Sequence, residues 1–273
     1  YDFANTIFSM NVISLYFALW VTVDHDGQDI LYSTALSLSM LAVALSVPVF
    51  GALSDTTRKR RVPLIGLTLL CIFSTGMIGT TNHLWTGLIL FMVANYGYQS
   101  ALVFYNGMLP SISRGSHVGL VSGYGVALGY LGSILGMVLV KPFVESGGRS
   151  AAFLPTAGLL LLFSLPCFLF VKDHNTRSAP LFRIKEAFNT LKETFLRARQ
   201  YYSLFRFILI HFLVLDAVNT IIAFMSVYAS KVIGFDDGQI IKFLISSTAG
   251  AMVGSLIIGI LVKRKGVIWS YWL

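Results

Sequence analysis

Apolar residues run in stretches of about twenty, broken by short polar pieces, along nearly all of the 273 residues. A helix rising 1.5 Å per residue crosses a hydrocarbon core of roughly 30 Å with about that many residues. The pattern predicts eight such helices, at residues 2–23, 31–53, 63–81, 84–108, 117–141, 151–171, 204–230 and 240–262. A further apolar stretch opens at Val267. Helices close their backbone hydrogen bonds internally, as a segment in lipid must. The short strict alternation of a transmembrane β-barrel is absent. The expected fold class is therefore all-α, a polytopic membrane helix bundle in contact with the lipid bilayer.

Composition agrees, with 56% apolar and 12% charged residues, against roughly a quarter charged in soluble domains. The net charge of +8 raises a nucleic-acid partner as a question, and the placement of the charge answers against it. Most Lys and Arg fall in alternate connections: Arg58–Arg61, Arg114, the segment Lys172–Arg206, and Lys263–Lys265. The opposite connections and nearby span ends hold only Lys141, Arg149, Lys231 and Lys242. This positive-inside asymmetry puts the basic connections, and the start of the chain, in the cytoplasm. Cys71 and Cys167 lie within apolar spans and the five His residues lack ligand spacing, so neither a disulfide framework nor a metal site is expected. No phosphate loop, dinucleotide fingerprint or hydrolase motif occurs. An enzyme is not expected, and no cofactor beyond a proton as a coupling ion.

Residues 1–171 form a six-span unit, 172–203 a polar linker, and 204–273 two spans and the start of a third. Within the linker, Ser178 and Pro180 can open a helix. Ile184, Phe188, Leu191 and Phe195 then share a face amid Arg183, Lys185, Lys192, Arg197 and Arg199. This reads as an amphipathic helix at the cytoplasmic interface, or as a solvated linker helix. After the linker the sequence echoes its beginning. Asp2-Phe-Ala-Asn5-Thr6 returns as Asp216-Ala-Val-Asn219-Thr220, Asp26-Gly27-Gln28 as Asp237-Gly238-Gln239, and Gly51-Ala-Leu53 as Gly259-Ile-Leu261. A repeated unit in the same orientation is the two-halves plan of a secondary transporter, with its site between the halves. The second half holds only two spans, and the chain, opening on Tyr1, reads as cut from a longer protein.

The connection Gly51-Ala-Leu-Ser-Asp55-Thr-Thr-Arg58-Lys59-Arg60-Arg61 resembles the signature loop of the major facilitator superfamily, with Arg58 where a glycine is usual. Phe104-Tyr105-Asn106-Gly-Met-Leu109-Pro110, Ser122-Gly123-Tyr-Gly125-Val-Ala-Leu128-Gly129-Tyr130-Leu-Gly132 and Tyr1-Asp2-Phe3-Ala4-Asn5 are similar to the autophagy-linked vacuolar amino-acid effluxers of fungi and their bacterial relatives. The resemblance implies twelve spans in the complete protein, alternating access and a small-molecule solute, plausibly amino acids moved by efflux. It implies a plasma (inner) membrane if the source is bacterial, or a vacuolar or other organelle membrane if fungal. A non-transporting sensor or receptor on the same fold is the alternative.

Ionisable and amide groups within spans are costly and so are functional candidates. Asp2, Asn5, Asp216 and Asn219 lie three apart in pairs, hence on shared helix faces, for solute binding or proton coupling, or for holding helices together. Asn95, Gln99 and Asn106 share a face of the fourth span, lining a cavity or gluing helices. His211 stands about 140° round from Asp216, which disfavours pairing within the helix. Gly51, Asp55, Arg58, Lys59, Arg60 and Arg61 are read as a gating loop, or as topology-setting charge. Gly119, Gly123, Gly125, Gly129, Gly132 and Gly136 are read chiefly as a close-packing surface.

Overall fold

The computed structural model describes residues 1–57, 59–112, 118–171, 173, 193 and 202–265. Among them are eight helices long and apolar enough to span a membrane, and no strand. We number them α1 (Asp2–Asp24), α2 (Asp29–Ser54), α3 (Arg61–Ile78), α4 (Leu84–Met108), α5 (Gly123–Gly147), α6 (Arg149–Phe170), α7 (Phe205–Ile233) and α8 (Asp237–Val262). The predicted spans match one for one. The largest difference is at α5, which runs on to Gly147, past Pro142. The expected linker helix and the stretch from Val267 lie outside the described residues, apart from Asp173, Glu193, Tyr202 and Ser203.

α1 is the central helix and packs on α5 and α6, and through its middle on α7. α4 lies between α2 and α3, α3 also meets α6, and α8 runs along α5. Between helices in lipid there is no water to expel, so close packing and hydrogen bonds must hold them. The α1–α5 seam shows how. A Cβ on Gly129 would stand 3.0 Å from Thr6 Cγ2, and one on Gly136 3.0 Å from Ile7 Cγ2. One on Gly132 would overlap the carbonyl oxygen of Phe3. The missing side chains let Thr6 Oγ1 donate to Gly129 O across the seam. Gly123 meets Gly259 in the same way, seating α8 on α5. Aromatic rings fill the opposite side of α1. Phe17 stacks on Phe91 at 4.2 Å, and Tyr32 donates to Ile13 O at 2.8 Å. Tyr32 also touches Phe224 of α7 edge-on at 5.4 Å.

The internal repeat is real in the backbone, but its register differs from the one the motifs suggest. α1 and α7 both finish in wide π-helical turns, Trp20–Asp24 and Ala229–Ile233. Gly27 N donates to Val21 O and Phe235 N to Ala229 O, both at 2.9 Å. Asp26 and Gly234 then take positive φ, +48° and +81°. Asp29 and Asp237 open the next helices. Every pair lies 208 positions apart (21 to 229, 26 to 234, 27 to 235, 29 to 237), as do Gly51 and Gly259. Two expected equivalences are therefore corrected. Asp26-Gly27-Gln28 lies in the turn, whereas Asp237-Gly238-Gln239 starts α8. Asp2 and Asp216 are 214 apart, so Asp216 sits six residues nearer its turn, about 9 Å along a helix. It is level with Phe8 rather than with Asp2. The motif repeats a local bond instead. Thr6 Oγ1 donates to Asp2 O at 2.9 Å and Thr220 Oγ1 to Asp216 O at 2.8 Å.

Candidate functional site

A cavity of about 300 Å³ opens where α1, α5, α7 and α8 converge. α1 contributes Thr6, Ser9, Met10 and Ser14, the last three from its π-helical stretch Ser9–Tyr16. α5 adds Tyr130 and Ser133. The facing wall is Ile221, Ile222 and Met225 of α7 with Phe243 and Leu244 of α8, and beyond these Ser247, Thr248 and Ala251. Several hydroxyls have already placed their proton. Besides Thr6, Ser133 donates to Tyr130 O at 2.8 Å and Ser247 to Phe243 O at 3.0 Å. A hydroxyl bound in this way keeps its lone pairs to accept.

Asp2 is half-buried one turn from this wall. Tyr105 Oη of α4 donates to its Oδ2 at 2.7 Å, and Gly125 of α5 leaves the space its carboxylate occupies. Asn5 is buried, at 5% exposure. The expected stripe on α4 divides. Asn95 is fully buried and donates to Ser39 Oγ of α2 at 2.7 Å. Gln99 is half-buried and Asn106 exposed. None of the three lines the cavity. Asn95 thus joins two helices, the gluing role. Asp216 and Asn219 are both exposed on α7, so the two Asp/Asn pairs do not come together.

The connection expected to act as a gating loop packs against the first six spans. Arg60 and Arg61 backbone N–H groups donate to Asp173 Oδ1 at 2.9 and 3.0 Å, so Asp173 neutralises the start of α3. Arg60 Nε donates to Ser54 Oγ at 2.8 Å, and its Nη1 to Gly107 O. Arg61 Nε reaches Phe168 O at 2.8 Å. These contacts tie α2, α3, α4 and α6 together. Gly51 has nothing within 4 Å of where a Cβ would lie, and Lys59 is exposed. Asp55 falls within the helical run to Thr57, and Arg58 lies outside the described residues.

At the other end, ion pairs cross between the halves. Arg149, the first residue of α6, grips Asp237 of α8 through two bonds, Nε to Oδ2 at 3.1 Å and Nη2 to Oδ1 at 2.8 Å. Its Nη1 also bonds Asp24 of α1. Lys231 of α7 pairs with Asp29 of α2 at 2.7 Å. Asp29 and Asp237 hold equivalent places in the two turns, and each is held by a cation from the other half. The Arg149 side chain is only 14% exposed, so its pairs are shielded from solvent, and planar two-bonded geometry adds strength and direction. Lys231 is 39% exposed and Asp29 54%, so that pair contributes little.

Neither the hydroxyl wall nor this clasp was expected as a site. Serine and threonine are ordinary in membrane helices, so only helix rotation reveals the wall. The clasp did leave a signal. Arg149 and Lys231 are among the few cations on the cation-poor side, and five aspartates, Asp24, Asp26, Asp29, Asp236 and Asp237, lie in the nearby connections.

Comparison with known proteins agrees with this architecture. The family model described as "Major Facilitator Superfamily" matches residues 3–273. An uncharacterized MFS-type transporter of Bacillus subtilis (strain 168), YxiO, is 26% identical over 284 residues, covering 97% of this chain and 66% of that protein. An uncharacterized protein of Aquifex aeolicus (strain VF5) is 27% identical over 271 residues, covering 98% of this chain and 65% of its own length. The chain thus spans just under two thirds of the length of these relatives.

Proposed function

The chain belongs to the Major Facilitator Superfamily and is a multi-pass membrane protein; from that premise we propose that the protein is a secondary carrier, moving a small solute by alternating access. The observation that carries this is the difference between its two ends. At the turn end, Arg149–Asp237 and Lys231–Asp29 link the halves. At the basic end, Arg60 and Arg61 bond Ser54, Gly107 and Phe168 of the first six spans. The cavity lies between. By the charge asymmetry the turn end is non-cytoplasmic, so the clasp closes that side. Passage to that side then requires Arg149 to release Asp237, which makes the pair a gate.

Asp2, bonded to Tyr105 a turn from the cavity, and Asp216 of α7 are the coupling candidates. An ionisable group within a span is a functional candidate by default, and a proton is the coupling ion this reading assigns to them. Asn5, Gln99, Asn106 and Asn219 remain candidates for the solute path. The resemblance of the α4 and α5 sequences to the amino-acid effluxers supports outward transport in this reading and leaves the cargo to the chemistry of the cavity. A free amino-acid cargo would need partners for two charges.

Solute flux into proteoliposomes holding the full-length protein, with and without a pH gradient, tests the proposal. Flux above protein-free vesicles supports a carrier. Failure across a broad panel of amino acids and neutral solutes rejects it, and binding without flux points to a sensor on the same fold. If Asp216→Asn leaves flux and its pH dependence unchanged, Asp216 is not the coupling group.

A further inference from the structure

The cavity has two unlike walls. One, from α1 and α5, presents hydroxyls: Thr6, Ser9, Ser14, Tyr130 and Ser133. The other, from α7 and α8, is apolar at Ile221, Ile222, Met225, Phe243, Leu244 and Ala251 and carries hydroxyls only at Ser247 and Thr248, of which Ser247 already donates to Phe243 O. No Asp, Glu, Lys, Arg or His is among its described lining residues. Nearby charges are engaged elsewhere: Asp2 by Tyr105, and Arg149 by two aspartates at the turn end. We propose that this cavity takes an uncharged, two-faced small molecule, with an apolar side against α7 and α8 and a hydrogen-bonding side against α1 and α5. The role of that molecule as cargo rests on the carrier proposal; its chemistry rests on the walls alone.

The physical case is one of desolvation. An ammonium or carboxylate taken from water into such a site loses hydration that only an opposite charge restores. Hydroxyls offer a neutral donor or acceptor a fair exchange for its water. An aliphatic and aromatic wall rewards an apolar face roughly in proportion to the area covered. A free zwitterionic amino acid places two charges where no described residue answers either. The same compound with its charges removed, as an alcohol, ester or amide, fits both walls. About 300 Å³ lies at the small end of ligand pockets, roughly 300–1,000 Å³.

Four indoles with a common ring and different side-chain charge test this. Tryptophol is neutral, tryptamine a cation, indole-3-acetate an anion and tryptophan a zwitterion. Binding of each to purified full-length protein in nanodiscs is measured by calorimetry, and flux separately in proteoliposomes. Tryptophol is expected to bind at least about tenfold more tightly than the other three. Tyr130→Phe and Ser133→Ala, each small and each removing one hydroxyl, should weaken tryptophol severalfold while leaving the protein's melting temperature unchanged. An ion or the zwitterion binding as tightly as tryptophol overturns the proposal. So does no binding by any of the four to protein with an intact melting transition. Tryptophol binding without flux upholds the site chemistry and counts against the carrier. Flux of an ion without tryptophol preference upholds the carrier and overturns the site chemistry.

Discussion

α1 and α7 open the two hairpins that end in the same turn, yet they live differently. Within these 273 residues, which span just under two thirds of the relatives' length, 78% of the apolar stretch of α1 is buried, with α5, α6 and α7 packed around it; in α7 the share is 6%. Both carry Asp-x-x-Asn-Thr, and both use the Thr to bond the Asp carbonyl one turn back. Only α1 gives that motif a tertiary partner, through Tyr105 and Gly129. The lesson is that a five-residue echo reports local chemistry, whereas the turn reports architecture. The positive φ at Asp26 and Gly234 and the aspartates that follow fix the 208-residue register, and that register creates the clasp.

The largest effect should come from filling the α1 seam. Gly132→Leu puts a side chain where the Phe3 carbonyl stands. It should abolish folded protein or lower its stability by at least the roughly 1–3 kcal/mol of ordinary overpacking, read as melting temperature in detergent. Gly254→Ala on α8, where a Cβ meets nothing within 4 Å, should be neutral or stabilising by about 0.5–1 kcal/mol, since alanine suits a helix better. Equal losses at both positions would erase the contrast between the two environments.

Next comes the clasp. Arg149→Ala leaves Asp237 and Asp24 without their shared cation. It should move the population of the closed turn end by about 5- to 30-fold, corresponding to about 1–2 kcal/mol. Pairing Arg149→Asp with Asp237→Arg should recover part of that. Solvent accessibility of cysteines placed along the cavity reads the shift. Lys231→Ala breaks a pair that is substantially exposed, and should shift the same readout by less than about 1 kcal/mol.

A smaller effect separates the two aspartates. Asp2→Asn weakens a charged hydrogen bond from Tyr105, and by analogy with such bonds should destabilise by about 1–2 kcal/mol. Asp216→Asn, on a face that these 273 residues leave exposed, should leave the melting temperature of residues 1–273 unchanged in detergent. Opposite rankings would mean that the echoed motifs do matter in the same way.

Much of this was legible in sequence, for identifiable reasons. All eight spans follow from the length of apolar stretches, because a bilayer imposes that length on any crossing helix. The glycines of α5 announced a close seam, which Gly123, Gly129, Gly132 and Gly136 supply. The cation-poor ends hold only Lys141, Arg149, Lys231 and Lys242, a short group from which the clasp draws two. What sequence could not give is rotation and pairing. Asn95, Gln99 and Asn106 share a helix face by spacing, yet the Asn95 amide N–H turns to Ser39 and the cavity is lined by α1, α5, α7 and α8 instead. Asp29 and Asp237 reveal their crossed partners only when two hairpins are laid side by side.

The central claim is that the halves are clasped at the turn end and must part there. Spin labels at Ile30 and Val232, both well exposed at 60% and 66%, sit on the two sides of that junction. Pulsed electron–electron distances between them in the full-length protein, with and without Arg149→Ala, test it directly. The account predicts a dominant short distance that gives way to a longer population when Arg149 is removed. A distribution unchanged by that substitution would contradict it.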